Sequence, residues 1–280
     1  MKRRALLIMN PGKIGKNFVP SVPNVIERYK NFLMSPAGGA WIDKEEILVL
    51  DRLGPMGVNL SGDLAMKLNE LNKPEVEYSL IVFVGHGAAA SGKDSIQTED
   101  GKIYSLNDFT MNIHHIPNFK RTIIIDACRT YAPITPQHIM LEEKAFSGFD
   151  TLDAVCCKEY YNDIIAHTPE HVSVIQSTQY GMVANGTPRG TAFSDALIGH
   201  LSKMANILSM ASDSTQKDHI SITMHDVLNT VCAAMSAYKQ VPQFTTIPQD
   251  IDKFFPILAI HRPLTKSIDC PESEITILED

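Results

Sequence analysis

Two largely apolar segments, Leu80-Ile-Val-Phe-Val84 and Thr122-Ile-Ile-Ile125, constrain this chain more than any other feature. Short runs rich in β-branched residues and bounded by polar ones read as strands buried on both faces. Such strands belong to parallel sheets covered by helices on each side, because a strand with one wet face would alternate apolar and polar residues. Each run stops at a reactive side chain: Gly85-His86-Gly87 follows the first, and Asp126-Ala127-Cys128-Arg129 closes the second. In an open α/β sheet, ligands bind in the crevice outside the carboxyl ends of the strands. An imidazole and a thiol at that edge have the chemistry of a nucleophile and its base.

The remaining pattern supplies matching elements. Arg4–Met9, Glu46–Leu50, Tyr78–Val84, Arg121–Asp126, Val172–Gln176 and Phe254–Ile260 read as strands of one mainly parallel sheet of about six strands. Val22–Leu33, Asp63–Leu71, Thr191–Met204 and Thr223–Tyr238 carry apolar residues at helical spacing, and Leu106–Ile113 reads as a short helix. Asp100-Gly101, flanked by alternating residues, predicts a β-hairpin. The alternation of strands and helices predicts an α/β three-layer sandwich. The stretch 129–170, with Pro133, Pro136 and Gly148, reads as one long loop, and loops of that length are uncommon unless functional or disordered.

Composition bounds the class. With 280 residues, 44% of them hydrophobic and 20% charged, the chain is expected to form a single domain over 1–263 with an acidic tail over 264–280. A net charge of -7 without a dense Lys/Arg block argues against nucleic acid as a partner. No apolar stretch approaches the roughly 18–20 residues of a membrane span, and Met1-Lys-Arg-Arg4 leads into too short an apolar run for a signal peptide. The expected location is cytoplasmic. Five cysteines without C-x-x-C spacing predict free thiols rather than a disulfide framework or a zinc site. Asn10-Pro-Gly-Lys-Ile-Gly-Lys16-Asn17 follows a strand as a phosphate loop would, but it lacks the first glycine at the right spacing and the Ser or Thr that binds magnesium.

A thiol becomes a competent nucleophile as the thiolate, which an imidazole within hydrogen-bond reach favours. Acyl transfer also needs donors for the developing oxyanion. The N–H groups of Gly87 and Cys128 are the candidates, and Gly87 has no side chain to keep a substrate carbonyl away. Strand-Gly-His-Gly, a hairpin, then strand-Asp-Ala-Cys-Arg resembles the caspase superfamily, more closely its metacaspase, paracaspase and prokaryotic caspase-like branch. The histidine lies 42 residues before the cysteine, from 86 to 128. Gln176-Ser177-Thr178-Gln179, Gly190-Thr-Ala-Phe193 and Val241-Pro242-Gln243-Phe244 are similar to later elements of that family.

The resemblance implies a caspase-like fold and a cysteine endopeptidase, with Cys128 as nucleophile, His86 as base and proton shuttle, and Ser177, Thr178 and Gln179 as substrate-binding residues. Asp126 stands where aspartate-specific caspases carry Gln, and it resembles the metacaspase and paracaspase pattern, in which the acid faces a basic P1 side chain. Cleavage after Lys or Arg is therefore expected, although the second acid of many metacaspases is not evident in Ser177–Asn185, and Thr130 departs from the usual small residue. The alternative for Asp126 is capping of, or hydrogen bonding to, the loop behind Cys128. Lys144 and Lys158 lie in the 129–170 segment, where relatives are cut on activation, and both are candidates for self-cleavage. No cofactor is implied. Some metacaspases need calcium, but Asp150, Asp153 and Asp163 lack EF-hand spacing, so no metal is assigned. The expected partners are a protein or peptide substrate and an activating ligand or protein, in a monomer that is regulated or latent within a stress, cell-death or defence pathway. The competing readings are a caspase-like interaction module without activity and a caspase-like protease with Asp at P1.

Overall fold

The structure, a computed structural model, describes residues 1–12, 18–50, 60–90, 93–97, 103–105, 120–128, 152–187, 190–210, 219–247 and 255–261. The strands are β1 (Arg3–Asn10), β2 (Ile47–Leu50), β3 (Tyr78–Gly85), β4 (Gly87–Ala90), β5 (Lys93–Gln97), β6 (Ile103–Ser105), β7 (Lys120–Ala127), β8 (His171–Gln176), β9 (Gly186–Thr187), β10 (Gly190–Thr191), β11 (His219–Thr223), β12 (Gln243–Ile247) and β13 (Pro256–His261). The helices are α1 (Val22–Met34), α2 (Leu60–Leu71), α3 (Ala154–His167), α4 (Ala192–Met210) and α5 (Met224–Met235), the last extended by a 3₁₀ turn over Ser236–Tyr238. The central sheet has six strands in the order β12-β8-β7-β3-β1-β2, parallel throughout except for β12.

The period-2 geometry of the buried strands builds two cores from the same residues. Ala5, Leu7 and Met9 of β1, Leu80, Val82 and Val84 of β3, and Ile124 of β7 pack on one face with α1, α3, α4 and α5. Their alternating neighbours Leu6, Ile8, Ile81, Phe83, Ile123 and Ile125 pack on the other with Leu64, Leu68 and Leu71 of α2. Burial on both faces is why these strands read as continuous apolar runs. The outcome is the three-layer α/β architecture expected from the sequence. The hairpin also forms, as β5 and β6, with β4 added as a third antiparallel strand.

Two expectations are corrected. The sixth strand of the sheet is β12, antiparallel to β8, while the apolar 256–261 segment pairs antiparallel with β11 in a separate ribbon. The 129–170 stretch is not a continuous loop either, because Ala154–His167 is helical. The Asp153 carboxylate accepts hydrogen bonds from the N–H groups of Val155 and Cys156 (2.8 and 3.0 Å), satisfying two donors left over at the helix start. Cys157, Tyr161 and Ile165, one turn apart, bury a single stripe. The helix is further fastened by Lys158, which pairs with Glu46 (3.1 Å), a residue that also binds the buried Arg3 (3.3 Å). The guanidinium of Arg3 lies over the rings of Trp41 and Tyr161, so the start of β1 and the middle of α3 share one charged junction.

The four described cysteines are free thiols. No helix among the described residues is long and apolar enough to cross a membrane. Leu106–Ile113, Lys144 and the 264–280 tail lie outside the described residues.

Phe83, almost fully buried in β3, anchors the α2 face. Urea unfolding of Phe83→Ala is expected to lose about 3–5 kcal/mol, whereas Val49→Ala, at a 40% exposed position, is expected to stay within about 0.5 kcal/mol of the wild type.

Candidate active site

The site is assembled by register. β3 and β7 are adjacent parallel strands, paired Val84 with Asp126 and Gly85 with Ala127. His86 and Cys128 are therefore the next residues on two neighbouring strand ends, at the carboxyl edge of the sheet. Two glycines make this junction possible. Gly85 has φ of 140°, a region L side chains rarely adopt, and a Cβ there would overlap the carbonyl of Asn10. A Cβ on Gly87 would overlap the carbonyl oxygen of Cys128 and crowd the Ala127 side chain. The backbone of Gly87 thus lies directly against that of Cys128.

Asn10, at the end of β1, holds the other side of His86. Its carbonyl accepts the His86 N–H (3.1 Å), and its side-chain amide donates to the His86 carbonyl (3.2 Å).

Cys128 is 3% exposed. Among the described residues both of its thiol hydrogen bonds go to one backbone unit: the Ala184 N–H donates to Sγ (3.3 Å), and the thiol donates to the Ala184 carbonyl (3.6 Å). Burial pushes the thiol above its ordinary range, the Asp126 carboxylate adds to that, and the Ala184 bond opposes it. Cys128 is thus covered, with its thiol held toward the protonated form.

The segment that covers it is itself clamped. Gln240, buried just after the 3₁₀ turn, donates from Nε2 to the Ser177 carbonyl (2.7 Å). Its Oε1 accepts from the Asn185 N–H (2.9 Å) and side-chain amide (3.3 Å). The Asn185 side chain also donates to the Tyr238 carbonyl (2.9 Å), and the Asn185 backbone carbonyl accepts from the Ala192 N–H (2.9 Å). One glutamine thus ties together the chain after β8, the segment over Cys128 and the approach to β12.

Asp126 is fully buried on the same face as Ile124, behind the nucleophile. The hydroxyls of Thr191 and Ser194 both donate to its Oδ2, and Ser194 Oγ lies 3.1 Å from the Tyr29 hydroxyl. Burial raises the Asp126 carboxyl, and these hydroxyls offset part of that rise. The next residue along α4, Asp195, pairs with Arg28 of α1 and accepts from Thr187 Oγ1 (2.5 Å). Residues 191–195 are therefore pinned to α1 and β7 by hydroxyls and carboxylates.

Of the other residues singled out from sequence, Ser177 and Thr178 are fully buried at the end of β8, and Gln179 is half-buried. The Ser177 N–H donates to the Ile125 carbonyl (2.9 Å), which continues the β7–β8 ladder up to the nucleophile. The Ser177 hydroxyl faces Asp126 without reaching hydrogen-bond geometry. Lys158 is not in a loop: it is helical and ion-paired with Glu46, so a cut there requires α3 to unwind. Among the described residues no group of three or more His, Cys, Asp or Glu side chains is placed to hold a metal ion. Ala184, Asn185, Gln240 and the amide of Asn10 were not legible in the sequence as site residues, and Ala184 acts only through its backbone.

The thiol's upward shift has a sign that experiment can read. Iodoacetamide modification of Cys128 in the resting protein is expected to show a midpoint above that of an ordinary cysteine, because burial disfavours the thiolate; a midpoint below it would contradict the covered state. Gly87→Ala is expected to abolish activity through backbone overlap with Cys128, while a substitution in the half-buried side chain of Gln179 should leave the site standing, as followed by thiol labelling.

The family model of the caspase domain matches residues 62–251, more than half of the chain and a span that includes both strand ends. Among solved structures, the crystal structure of caspase-1 from Spodoptera frugiperda is similar in fold, with a TM-score of 0.50 and 15% identity over 87% of this chain and 86% of that one. No curated protein sequence matches the chain. The caspase-domain match falls on the same Gly-His-Gly and Asp-Ala-Cys-Arg segments whose register builds the site, and the chain belongs to the caspase-domain family of cysteine peptidases.

Proposed function

We propose that this chain is a cysteine endopeptidase that cuts proteins after Lys or Arg and rests in a closed, latent state. The observation that carries the reading is the pairing of Gly85 with Ala127, which puts His86 and Cys128 side by side on a caspase-family sheet. In the open site the Cys128 thiolate attacks the scissile carbonyl, and the N–H groups of Gly87 and Cys128 receive the oxyanion. His86, carrying the thiol proton, passes it to the leaving amine as the C–N bond breaks and a thioester forms. Water, deprotonated by His86, then hydrolyses the thioester and returns the thiol.

Asp126 supports the basic P1 preference. It lies near the end of β7, two residues before Cys128, and a carboxylate in that place attracts Arg or Lys and repels Asp. In the closed state Thr191 and Ser194 both bond to its Oδ2 and the residue is fully buried, so a P1 side chain reaches it once the covering residues move. Ser177, Thr178 and Gln179, where β8 ends beside β7, are the proposed substrate-binding residues. Latency is supported by the Ala184 backbone occupying both hydrogen bonds of the thiol. An activating ligand or partner then acts by withdrawing Ala184 and freeing the thiol for His86. Lys144 is the better candidate for self-cleavage, since Lys158 lies inside a fastened helix.

Fluorogenic peptides ending in Arg, Lys or Asp test the reaction and its pocket together. Hydrolysis of the Arg and Lys peptides that vanishes in Cys128→Ala and His86→Ala is the expected result; hydrolysis retained in Cys128→Ala would sink the mechanism, and a preference for Asp would reject only the Asp126 assignment. The latch has a separate readout. Gln240→Ala, which releases Asn185 and so loosens Ala184, is expected to raise the rate of Cys128 alkylation severalfold; an unchanged or slower rate would remove the latch.

A further inference from the structure

We infer that Asn10 is the positioning residue for His86, through a side-chain amide that stands in for a missing rung of the sheet. The inference rests on the endopeptidase reading, since it gives Asn10 a role only if His86 is the base. In a parallel ladder each residue of one strand bonds on both sides of its neighbour's partner, so β1 and β3, paired Asn10 with Gly85, should exchange bonds past the pair. The first of these forms: the His86 N–H donates to the Asn10 carbonyl (3.1 Å). The second, to the His86 carbonyl, would come from the N–H of residue 12 if β1 continued. Among the described residues that bond does not form: β1 ends at Asn10, and Pro11 and Gly12 lie outside the ladder. The Asn10 side-chain amide fills the position, donating to the His86 carbonyl at 3.2 Å.

Both sides of the His86 peptide frame are thus set by one residue. This matters more at residue 86 than elsewhere along β3, because Gly85 before it and Gly87 after it lack side chains that would pack and restrict the backbone. Gly85 is held in its left-handed conformation against the same Asn10 carbonyl. Asn10 is 1% exposed, so water is no ready substitute for its amide. The position of the imidazole relative to Cys128 follows from the peptide frame that carries it. A misplacement of 1 Å in such a group can cost about 100-fold in rate. Asn10 does not touch the reacting atoms; it acts through His86.

Asn10→Asp is the primary variant, since it keeps the shape of the side chain and exchanges the donor for an acceptor that repels the His86 carbonyl. Asn10→Ala serves as a second. In peptide hydrolysis by the full chain, both are expected to lower kcat about 10- to 100-fold with KM little changed and the melting temperature retained in Asn10→Asp. The ratio of Asn10→Asp to wild-type turnover is expected to rise as pH falls through the titration of the new carboxyl, because the protonated acid regains an O–H donor; a merely structural role leaves that ratio flat. Turnover within about twofold of wild type in both variants, or a flat ratio, overturns the inference while the endopeptidase reading stands. A wild type no more active than His86→Ala overturns the reading itself, and the role of Asn10 with it.

Discussion

Everything at the functional edge of this molecule depends on the parallel pairing of β3 with β7 and on its being carried to the last residue, Gly85 against Ala127. Side chains alternate along a strand, so a slip of one residue would turn every side chain of β3 to the opposite face and carry His86 away from Cys128. The two apolar cores prevent it: Leu80, Val82 and Val84 can only meet the helices of one face while Ile81 and Phe83 meet α2 on the other. Core packing therefore sets the site, because the register that buries these residues is the register that brings His86 and Cys128 to neighbouring strand ends. The close approach of Gly87 to the Cys128 backbone and of Gly85 to Asn10 lets the three strand ends converge more tightly than residues with side chains would allow.

The convergence builds a site that is covered rather than open. Three polar clusters meet behind and above the nucleophile: Ala184 on the thiol, Gln240 across Ser177 and Asn185, and Thr191 with Ser194 on Asp126. Each closes through hydrogen bonds rather than through apolar packing, and such bonds exchange readily for bonds to a substrate backbone or to water at a net cost of about 0.5–1.5 kcal/mol each. The hydrophobic cores beneath need not move.

The layout of the sheet was largely legible because four of its strands, β1, β3, β7 and β8, are buried on both faces and announce themselves by composition. What was not legible fails for physical reasons. Gln243–Ile247 is an edge strand, half-exposed and with a polar middle, so it carries little apolar signal, whereas the continuous run at 256–261 looks central but is buried in a ribbon with β11. Helix α3 was hidden because one narrow stripe, Cys157, Tyr161 and Ile165, is buried among charged residues. At the site, His86 and Cys128 stand out by type and strand-end position. Asn10, Ala184 and Gln240 do not, because their roles come from contacts across the fold: an alanine acting through its peptide group leaves no mark in sequence, and a buried glutamine looks like any polar residue until both ends are seen to be bonded. Asp126 is intermediate, since its place two residues before Cys128 was clear but its enclosure by the hydroxyls of Thr191 and Ser194 was not.

The most direct test of the central claim, that the aligned strand ends form a working protease, is to map new peptide termini in a whole proteome incubated with wild type, His86→Ala or Cys128→Ala. The account predicts termini created after Lys and Arg by the wild type alone. Termini that persist without the Cys128 thiol, or cuts by the wild type that show no dependence on His86, would contradict it.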